Sequence, residues 1–308
     1  GFEADLDSMR AEIDRRAESK VTAKETEDRF YRYWDHWLTD GYVPHLFVVD
    51  VETRETVDLM PGWDRRCSSG GIDFDVSPDG GQIAFGAFRH GSPYDSLEAD
   101  IYLLDLDRPG EYENITTANP ADDFSPYYTP DGRYLLYGAQ KIIGFYGDRV
   151  RLVRYDRESG ERAILTEGFD RSPGGWQTDA KGRTVFFSAE DRAMTSIFSV
   201  PVKGGTVKEI FRGGTNRSVH PTPEGRLVFL HQSLSQPTTV CSVKRNISDL
   251  VELTGEINGE LLAGIEWAGV EDVTFAGWNG ADVQMFVLLP PGFDPAKKWP
   301  LLVLVHGG

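Results

Sequence analysis

Apolar residues fall in short blocks separated by turn-forming clusters, and the blocks recur in a fixed order along the middle of the chain. Ser77-Pro78-Asp79-Gly80 precedes Gln82-Ile83-Ala84-Phe85, and Thr129-Pro130-Asp131-Gly132 precedes Tyr134-Leu135-Leu136-Tyr137. Thr178-Asp179-Ala180-Lys181-Gly182 precedes Thr184-Val185-Phe186-Phe187, and Thr222-Pro223-Glu224-Gly225 precedes Leu227-Val228-Phe229-Leu230. Proline presets the first corner of a tight turn, aspartate bonds its own backbone, and glycine takes the positive φ that closes the hairpin. A second apolar block follows each turn: Ile101-Tyr102-Leu103-Leu104, Leu152-Val153-Arg154-Tyr155, Ile197-Phe198-Ser199-Val200 and, more weakly, Thr239-Val240-Cys241-Ser242-Val243. Leu46-Phe47-Val48-Val49 belongs to the same series upstream of the first turn.

A period of about 40–50 residues with several strands in each is the signature of a β-propeller. Ile101 to Leu104 is apolar on both faces, as a strand sandwiched between neighbouring blades must be; a one-sided sheet alternates. An irregular β-sandwich with coincidental turns is the alternative, and the register of four copies argues against it. Residues 29–268 are therefore read as propeller blades. The expected fold is mainly β, with a partial set of blades: a little over three periods from Gly80 to Val243, and the end of an earlier blade over Arg29 to Val51 around a turn at Thr39-Asp40-Gly41. Propellers close with about 4–8 blades, so further N-terminal blades are expected outside this sequence. The short turns must share one end of the blades. Longer connections at Arg89–Ala99, Gln140–Asp148, Glu190–Thr195 and Gln232–Pro237 are then expected at the other, where function on a rigid β scaffold tends to sit. Asp95, Glu98 and Asp148 on those loops are candidates for gating substrate or binding a cationic group.

The first 28 residues are charged, with Leu6, Met9 and Ile13 at helical spacing, which predicts a short surface helix or a disordered arm. The 308 residues carry 32 basic and 49 acidic side chains, a formal charge of −17. Such a charge repels phosphate backbones, so no nucleic-acid partner is expected. Leu301–Val305 is too short an apolar run to cross a bilayer, so no membrane partner is expected either. An oligomer remains possible, and the compartment is open between cytoplasmic and periplasmic or secreted. Cys67 and Cys241 give neither a disulfide framework nor a metal spacing. His36, His45, His90, His220 and His231 show no paired ligand spacing, so no metal or other cofactor is expected. Asn114-Ile115-Thr116, Asn216-Arg217-Ser218 and Asn246-Ile247-Ser248 match the glycosylation triplet, which arises readily by chance. The tryptophans at 34, 37, 63, 176, 267, 278 and 299 are expected to pack blades and interfaces.

After Leu253 the period stops. Val270–Phe275 and Val283–Leu289 flank Trp278-Asn279-Gly280, and Asn-Gly between apolar stretches is a strong hairpin signal. Leu301-Leu302-Val303-Leu304-Val305 reads as a strand buried on both faces inside an α/β sheet. His306-Gly307-Gly308 follows it, where α/β-hydrolases build an oxyanion hole from backbone N–H groups that glycines leave uncovered. Residues 269–308 are thus read as the start of an α/β-hydrolase domain, with Gly307 and Gly308 as donors and His306 shaping the turn. No Gly-x-Ser-x-Gly occurs in the 308 residues, so no nucleophile elbow and no catalytic residue is assigned in this chain. Serine, aspartate and histidine all follow the oxyanion loop in that fold, so His306 is not the general base and the triad is expected beyond Gly308.

The repeat joined to Pro290-Pro291-Gly292-Phe293-Asp294, Lys297-Lys298-Trp299-Pro300 and Leu301–Gly308 resembles the prolyl oligopeptidase family of serine peptidases. Trp34-Asp35-His36-Trp37, with Asp40-Gly41 before His45-Leu46-Phe47-Val48, is similar to its acylaminoacyl-peptidase and dipeptidyl-peptidase-like branch. The resemblance implies short-peptide substrates cleaved in a hydrolase domain, with the propeller gating access. It also implies that this chain, read as a fragment, is inactive alone. A propeller that binds a protein or glycan, with no catalytic role, is the alternative.

Overall fold

Meandering antiparallel strands account for nearly all of the regular structure. The computed structural model describes residues 6–33, 35–38, 43–67, 72–91, 94, 96–244 and 250–305. Helix α1 (Leu6–Glu18) opens it, exposed, with Glu12 pairing Arg15 and Arg16 at 2.6 Å each. Two strand pairs follow, β1 (Arg32–Tyr33) with β2 (His36–Trp37) and β3 (Phe47–Val49) with β4 (Thr56–Asp58). The expected turn at Thr39–Gly41 lies outside the described residues.

The first blade is a four-stranded sheet of β5 (Phe74–Val76), β6 (Gln82–Phe88), β7 (Ala99–Asp105) and β8 (Tyr112–Asn114). The second blade repeats it with β9 (Asp123–Tyr128), β10 (Tyr134–Ala139), β11 (Arg151–Asp156) and β12 (Arg162–Ile164). The third comprises β13 (Pro173–Thr178), β14 (Thr184–Asp191), β15 (Met194–Pro201) and β16 (Lys208–Phe211). The fourth comprises β17 (Thr215–Pro221), β18 (Arg226–Ser233), β19 (Gln236–Lys244) and β20 (Val251–Glu252), and a single parallel bridge, Thr195 to Thr215, joins these two blades. Each second apolar block of the sequence is the third strand of a blade, and β3 with β4 forms the matching outer pair of a blade that precedes the first.

The repeated turn closes each first hairpin through side-chain chemistry. Ser77 Oγ donates to Asp79 Oδ1 (2.6 Å) and accepts from Gln82 N (2.9 Å), while Gly81 N donates to Asp79 Oδ1 at 3.2 Å. Thr129 and Asp131 repeat the arrangement, with Thr129 Oγ1 to Asp131 Oδ1 at 2.6 Å. Gly80 (φ 73°), Gly132 (68°), Gly182 (62°) and Gly225 (81°) hold the left-handed corner. A further repeat is invisible in the turn pattern. The innermost strands β9, β13 and β17 each carry a bulge, with Ser125 (φ 54°), Gly175 (60°) and Ser218 (53°) in the same left-handed region.

Alternation along the strands distributes side chains between neighbouring blades. Ala84 faces the second blade, packing with Leu135, Tyr137 and Val153, whereas Ile83 and Phe85 pack with Leu59, Met60 and Trp63 on the other side. Leu136 joins Val185 and Phe187 between the second and third blades, and Phe186 joins Leu227 and Phe229 between the third and fourth. Trp63 and Trp176 sit in these interfaces; Trp267, Trp278 and Trp299 are exposed instead.

Two expectations change. Glu190–Thr195 and Gln232–Pro237 are not long loops. Strands β14 and β15 run on to a two-residue turn at Arg192 (φ 52°) and Ala193 (φ 56°), the paired left-handed geometry that matches hairpin twist. Strands β18 and β19 likewise extend to Ser233 and Gln236. Leu301–Val305 forms no strand and is 68–86% exposed, since a strand needs a partner for its backbone and none of the described strands lies alongside it. The hairpin ahead of it does form: β21 (Gly269–Ala276) pairs with β22 (Asp282–Leu289) across Asn279 (φ 54°) and Gly280 (φ 75°).

Phe186 is fully buried between two blades, so Phe186→Ala is expected to cost about 3–5 kcal/mol, read as a lower denaturant midpoint at unchanged slope. A loss under about 1 kcal/mol would show that the interface of the third and fourth blades does not carry stability.

Candidate functional site

The two long connections, β6–β7 and β10–β11, come together at one end of the first and second blades and enclose a cleft of about 710 Å³. Its walls are largely aromatic and aliphatic: Phe30, Tyr33, Phe88, Leu97, Phe124 and Tyr146. The chain before the first blade supplies one wall because it is bonded to the β6–β7 loop. Tyr94 N donates to Asp28 Oδ1 at 3.0 Å, and Phe30 N donates to Tyr94 O at 3.1 Å. Leu38, Phe88 and Tyr94 pack beneath as a small separate core.

Acidic groups crowd the cleft floor. Glu98 and Asp122 line it, and Asp100 and Asp123 lie fully buried behind. Arg89 serves Asp100 with two bonds, Nε to Oδ2 at 2.8 Å and Nη2 to Oδ1 at 2.6 Å, and also reaches Asn119 O at 2.7 Å. That bidentate pairing satisfies one carboxylate and leaves the guanidinium little to offer the others. Burial raises the Asp122 carboxyl, and the Glu98 charge adds to the rise despite the Ala99 N–H it accepts. Burial pushes Asp123 up to about 8, against Asn119 Nδ2, which donates to Oδ1 at 3.1 Å, and the Thr116 hydroxyl. Its Oδ2 is buried with no hydrogen-bond partner.

The β10–β11 loop is held by hydrogen bonds although Ile142, Ile143, Phe145 and Tyr146 leave much of their apolar surface exposed. Gln140 Nε2 donates to Tyr146 O (3.1 Å) and Asp148 O (2.8 Å), and Asp148 Oδ2 accepts from Lys141 N (2.6 Å) and Ile142 N (3.1 Å). Burial raises the Asp148 carboxyl, but these backbone donors and the Arg151 charge outweigh it and hold it below the usual range. Asp148 is thus turned into its own loop. Of the sequence-chosen acids, Glu98 faces the cleft, Asp148 braces its wall, and Asp95 lies outside the described residues. His306, Gly307 and Gly308 also lie outside them. Asp122, Asp123, Gln140 and the aromatic lining escaped the sequence reading, because they meet only when two blades stack; the adjacent Asp122-Asp123 ahead of a strand was the one local signal.

Other candidates are absorbed by the fold. His45 lies 2.9 Å from Asp58 Oδ2 through Nδ1 and 3.2 Å from Trp63 O through Nε2, a clasp beside the first blade. Among the described residues no group of three or more histidine, cysteine or acidic side chains is placed to hold a metal ion. Burial pushes the Cys67 thiol up to about 12 and raises Cys241, so neither supplies a thiolate. Asn216 is fully buried with its amide donating to Thr195 O and Gly213 O, and Ile115 and Thr116 are buried, which removes two of the glycosylation triplets as folded-state acceptors; Asn246 lies outside the described residues. No described helix is long and apolar enough to cross a membrane.

No protein-family model matches the chain. It is 26% identical over 300 residues to dipeptidyl-peptidase 5 of Porphyromonas gingivalis, covering 94% of this chain and 43% of that protein. It is 30% identical over 324 residues to a probable dipeptidyl-peptidase 5 of Emericella nidulans, covering 95% and 44%. The chain therefore spans less than half the length of the curated relatives it matches. An acylaminoacyl peptidase of Pyrococcus horikoshii shares its fold with a TM-score of 0.62 at 17% identity, over 90% of this chain and 42% of that one. The blade repeat, the four-stranded meanders and these likenesses agree: over nearly its whole length the chain is similar to dipeptidyl-peptidase 5, and it shares the fold of part of an acylaminoacyl peptidase.

Proposed function

We propose that this chain is the substrate-access portion of a serine peptidase acting on short peptides, with its nucleophile, acid and base on sequence following Gly308. The observation that carries the reading is the shared location of cleft and hairpin. Gln284 of β22 donates from Nε2 to Asp272 of its own hairpin at 2.9 Å and also to Arg192 O at 3.2 Å, one hydrogen bond from the hairpin to the turn of the third blade at the end that bears the cleft, and it supports this reading. A catalytic domain continuing from β21 and β22 then faces the cleft, and a peptide reaches the nucleophile past the β6–β7 and β10–β11 loops. Within the cleft the aromatic walls take apolar side chains, and Glu98 with Asp122 takes a cationic group such as a free amino terminus. In the catalytic domain a serine activated by histidine attacks the peptide carbonyl, backbone N–H groups of Gly307 and Gly308 receive the developing oxyanion, and the amine leaves. Residues 269–308 are read as the first part of that domain.

Reading the coding frame past Gly308 tests this first. Gly-x-Ser-x-Gly, then an aspartate, then a histidine are expected; a stop codon would hand the chain to the binding-propeller reading. The 308-residue chain alone is expected to show no peptide hydrolysis above background, and a clear rate blocked by a serine-reactive phosphonate would overturn the assignment of catalysis elsewhere. Glu98→Gln is expected to weaken binding of a short peptide with a free amino terminus about tenfold and leave its N-acetylated form unaffected. Equal affinity of variant and wild type for both forms would remove Glu98 from the site. The 308-residue chain should also aggregate more than a version ending near Ala268, because Leu301–Val305 is exposed; equal solubility would count against a domain boundary there.

A further inference from the structure

The buried acid behind the cleft is wired to the loop in front of it. Asn119 Nδ2 donates both to Asp123 Oδ1 (3.1 Å) and to Gln140 O (3.0 Å). Gln140 in turn receives its place from Asp122 O, to which its N–H donates at 2.8 Å, and its side chain holds Tyr146 and Asp148 by their carbonyls. One amide group therefore bridges a carboxyl on β9 and the residue that anchors the cleft's β10–β11 wall. We infer that Asp123, Asn119 and Gln140 form a latch in which the protonation state of Asp123 sets the position of the 141–148 loop, and with it the width of the cleft.

The physical argument starts from what faces Asp123. Asp100 on β7 opposes its ionisation, and Arg89 at the end of β6 is already committed to Asp100. Thr116 and Asn119, in the connection from β8 to β9, are the polar groups that favour the charged form. Tyr137 on β10 lies within electrostatic reach, itself beside Arg162 on β12. Asp122 precedes it on the cleft side, and the same burial raises its carboxyl too. A neutral carboxyl tolerates this setting. An ionised one leaves a buried charge served only by two neutral groups, Asn119 and Thr116, which is costly enough to draw water or to pull the Asn119 amide wholly onto itself. Either response breaks the bond from Asn119 to Gln140 O and frees the loop anchor. Burial places the transition near pH 8, so the latch is closed at neutral pH and opens as the solution becomes alkaline.

That opening the latch admits ligand rests on reading the cleft as a peptide site; the latch itself does not, and the experiment separates the two. Amide hydrogen exchange of the protein, corrected for intrinsic rates, is followed from pH 6 to 9. Protection at Lys141, Ile142 and Asp148 is expected to fall about tenfold between pH 7 and 9 while the strands of the third and fourth blades keep theirs. In Asp123→Asn the fall is absent, and in Gln140→Leu the loop is poorly protected at every pH. Constant protection in the wild type, equal loss across all blades, or an unchanged pH response in Asp123→Asn would each overturn the latch. Thermal melts give an independent check. Between about pH 4 and 8 the folded protein holds a proton at Asp123 that the unfolded chain has released, so wild-type stability falls as pH rises through that window and Asp123→Asn loses that slope. Affinity for a short peptide at the same pH values tests the link to the cleft: a shift that follows the exchange transition supports it, and unshifted affinity with shifted exchange retains the latch and discards the peptide reading.

Discussion

The first, second and third blades each bury apolar side chains on both faces, so the structure depends on blade-to-blade burial. The strand pleat enforces the arrangement. Consecutive residues point to opposite faces, and Leu135 and Tyr137 therefore meet the first blade while Leu136 meets the third. Each large side chain so buried contributes about 1.5–3 kcal/mol, and the sums accumulate only between neighbours. Most backbone polarity is settled within a blade by the meander, which leaves the interfaces largely apolar; a few polar contacts cross them, such as Tyr128 N donating to Asp75 Oδ2 at 2.6 Å and Tyr128 OH to Gln82 Oε1 at 2.9 Å. The four aromatic residues Trp63, Phe85, Tyr102 and Tyr112 show how closely such an interface fits, with edge-on ring contacts at 4.8–6.4 Å.

Stacking of this kind leaves the two ends of the blades with different duties. One end is closed by short turns, such as those at Ser77–Gly80 and Thr129–Gly132, whose hydroxyl, carboxylate and glycine hold the hairpin. The other end is free to vary. The third and fourth blades close it with two-residue turns, while the first and second blades extend it into loops. The asymmetry is what makes a cleft: two tall walls beside two low ones, with the segment before the first blade bonded across as a third wall.

Electrostatics at that cleft follow from an excess of acids over available cations. Arg89 neutralises Asp100 through a two-point contact, and the neighbouring carboxyls must respond by taking up protons or by collecting backbone N–H groups. Asp148 follows the second course and braces a loop; Asp123 follows the first and sits beneath it. Two carboxyls on one structural unit thus have opposite displacements, because backbone donors and the Arg151 charge outweigh burial at Asp148, whereas at Asp123 burial outweighs the neutral Asn119 and Thr116 groups.

Turn chemistry, strand period and blade identity were legible from residues alone, since Pro-Asp-Gly corners and apolar blocks act locally and recur. The Asn279-Gly280 hairpin was legible for the same reason. Which connections would be long was only half legible: a run such as Glu190–Thr195 looks like a loop until Arg192 and Ala193 both take left-handed φ and the strands continue through it. The bulges at Ser125, Gly175 and Ser218 had no residue signature at all, two serines and a glycine sharing a conformation set by packing on the inner strands. Leu301–Val305 carries a strand's composition but not its structure, because composition supplies side-chain preference and only a neighbouring backbone supplies hydrogen bonds. The cleft lies furthest from the sequence. Phe30, Phe88, Asp122 and Tyr146 are spread over more than a hundred residues and become one surface only when blades stack, since burial and electrostatic field are properties of what surrounds a side chain in space rather than along the chain.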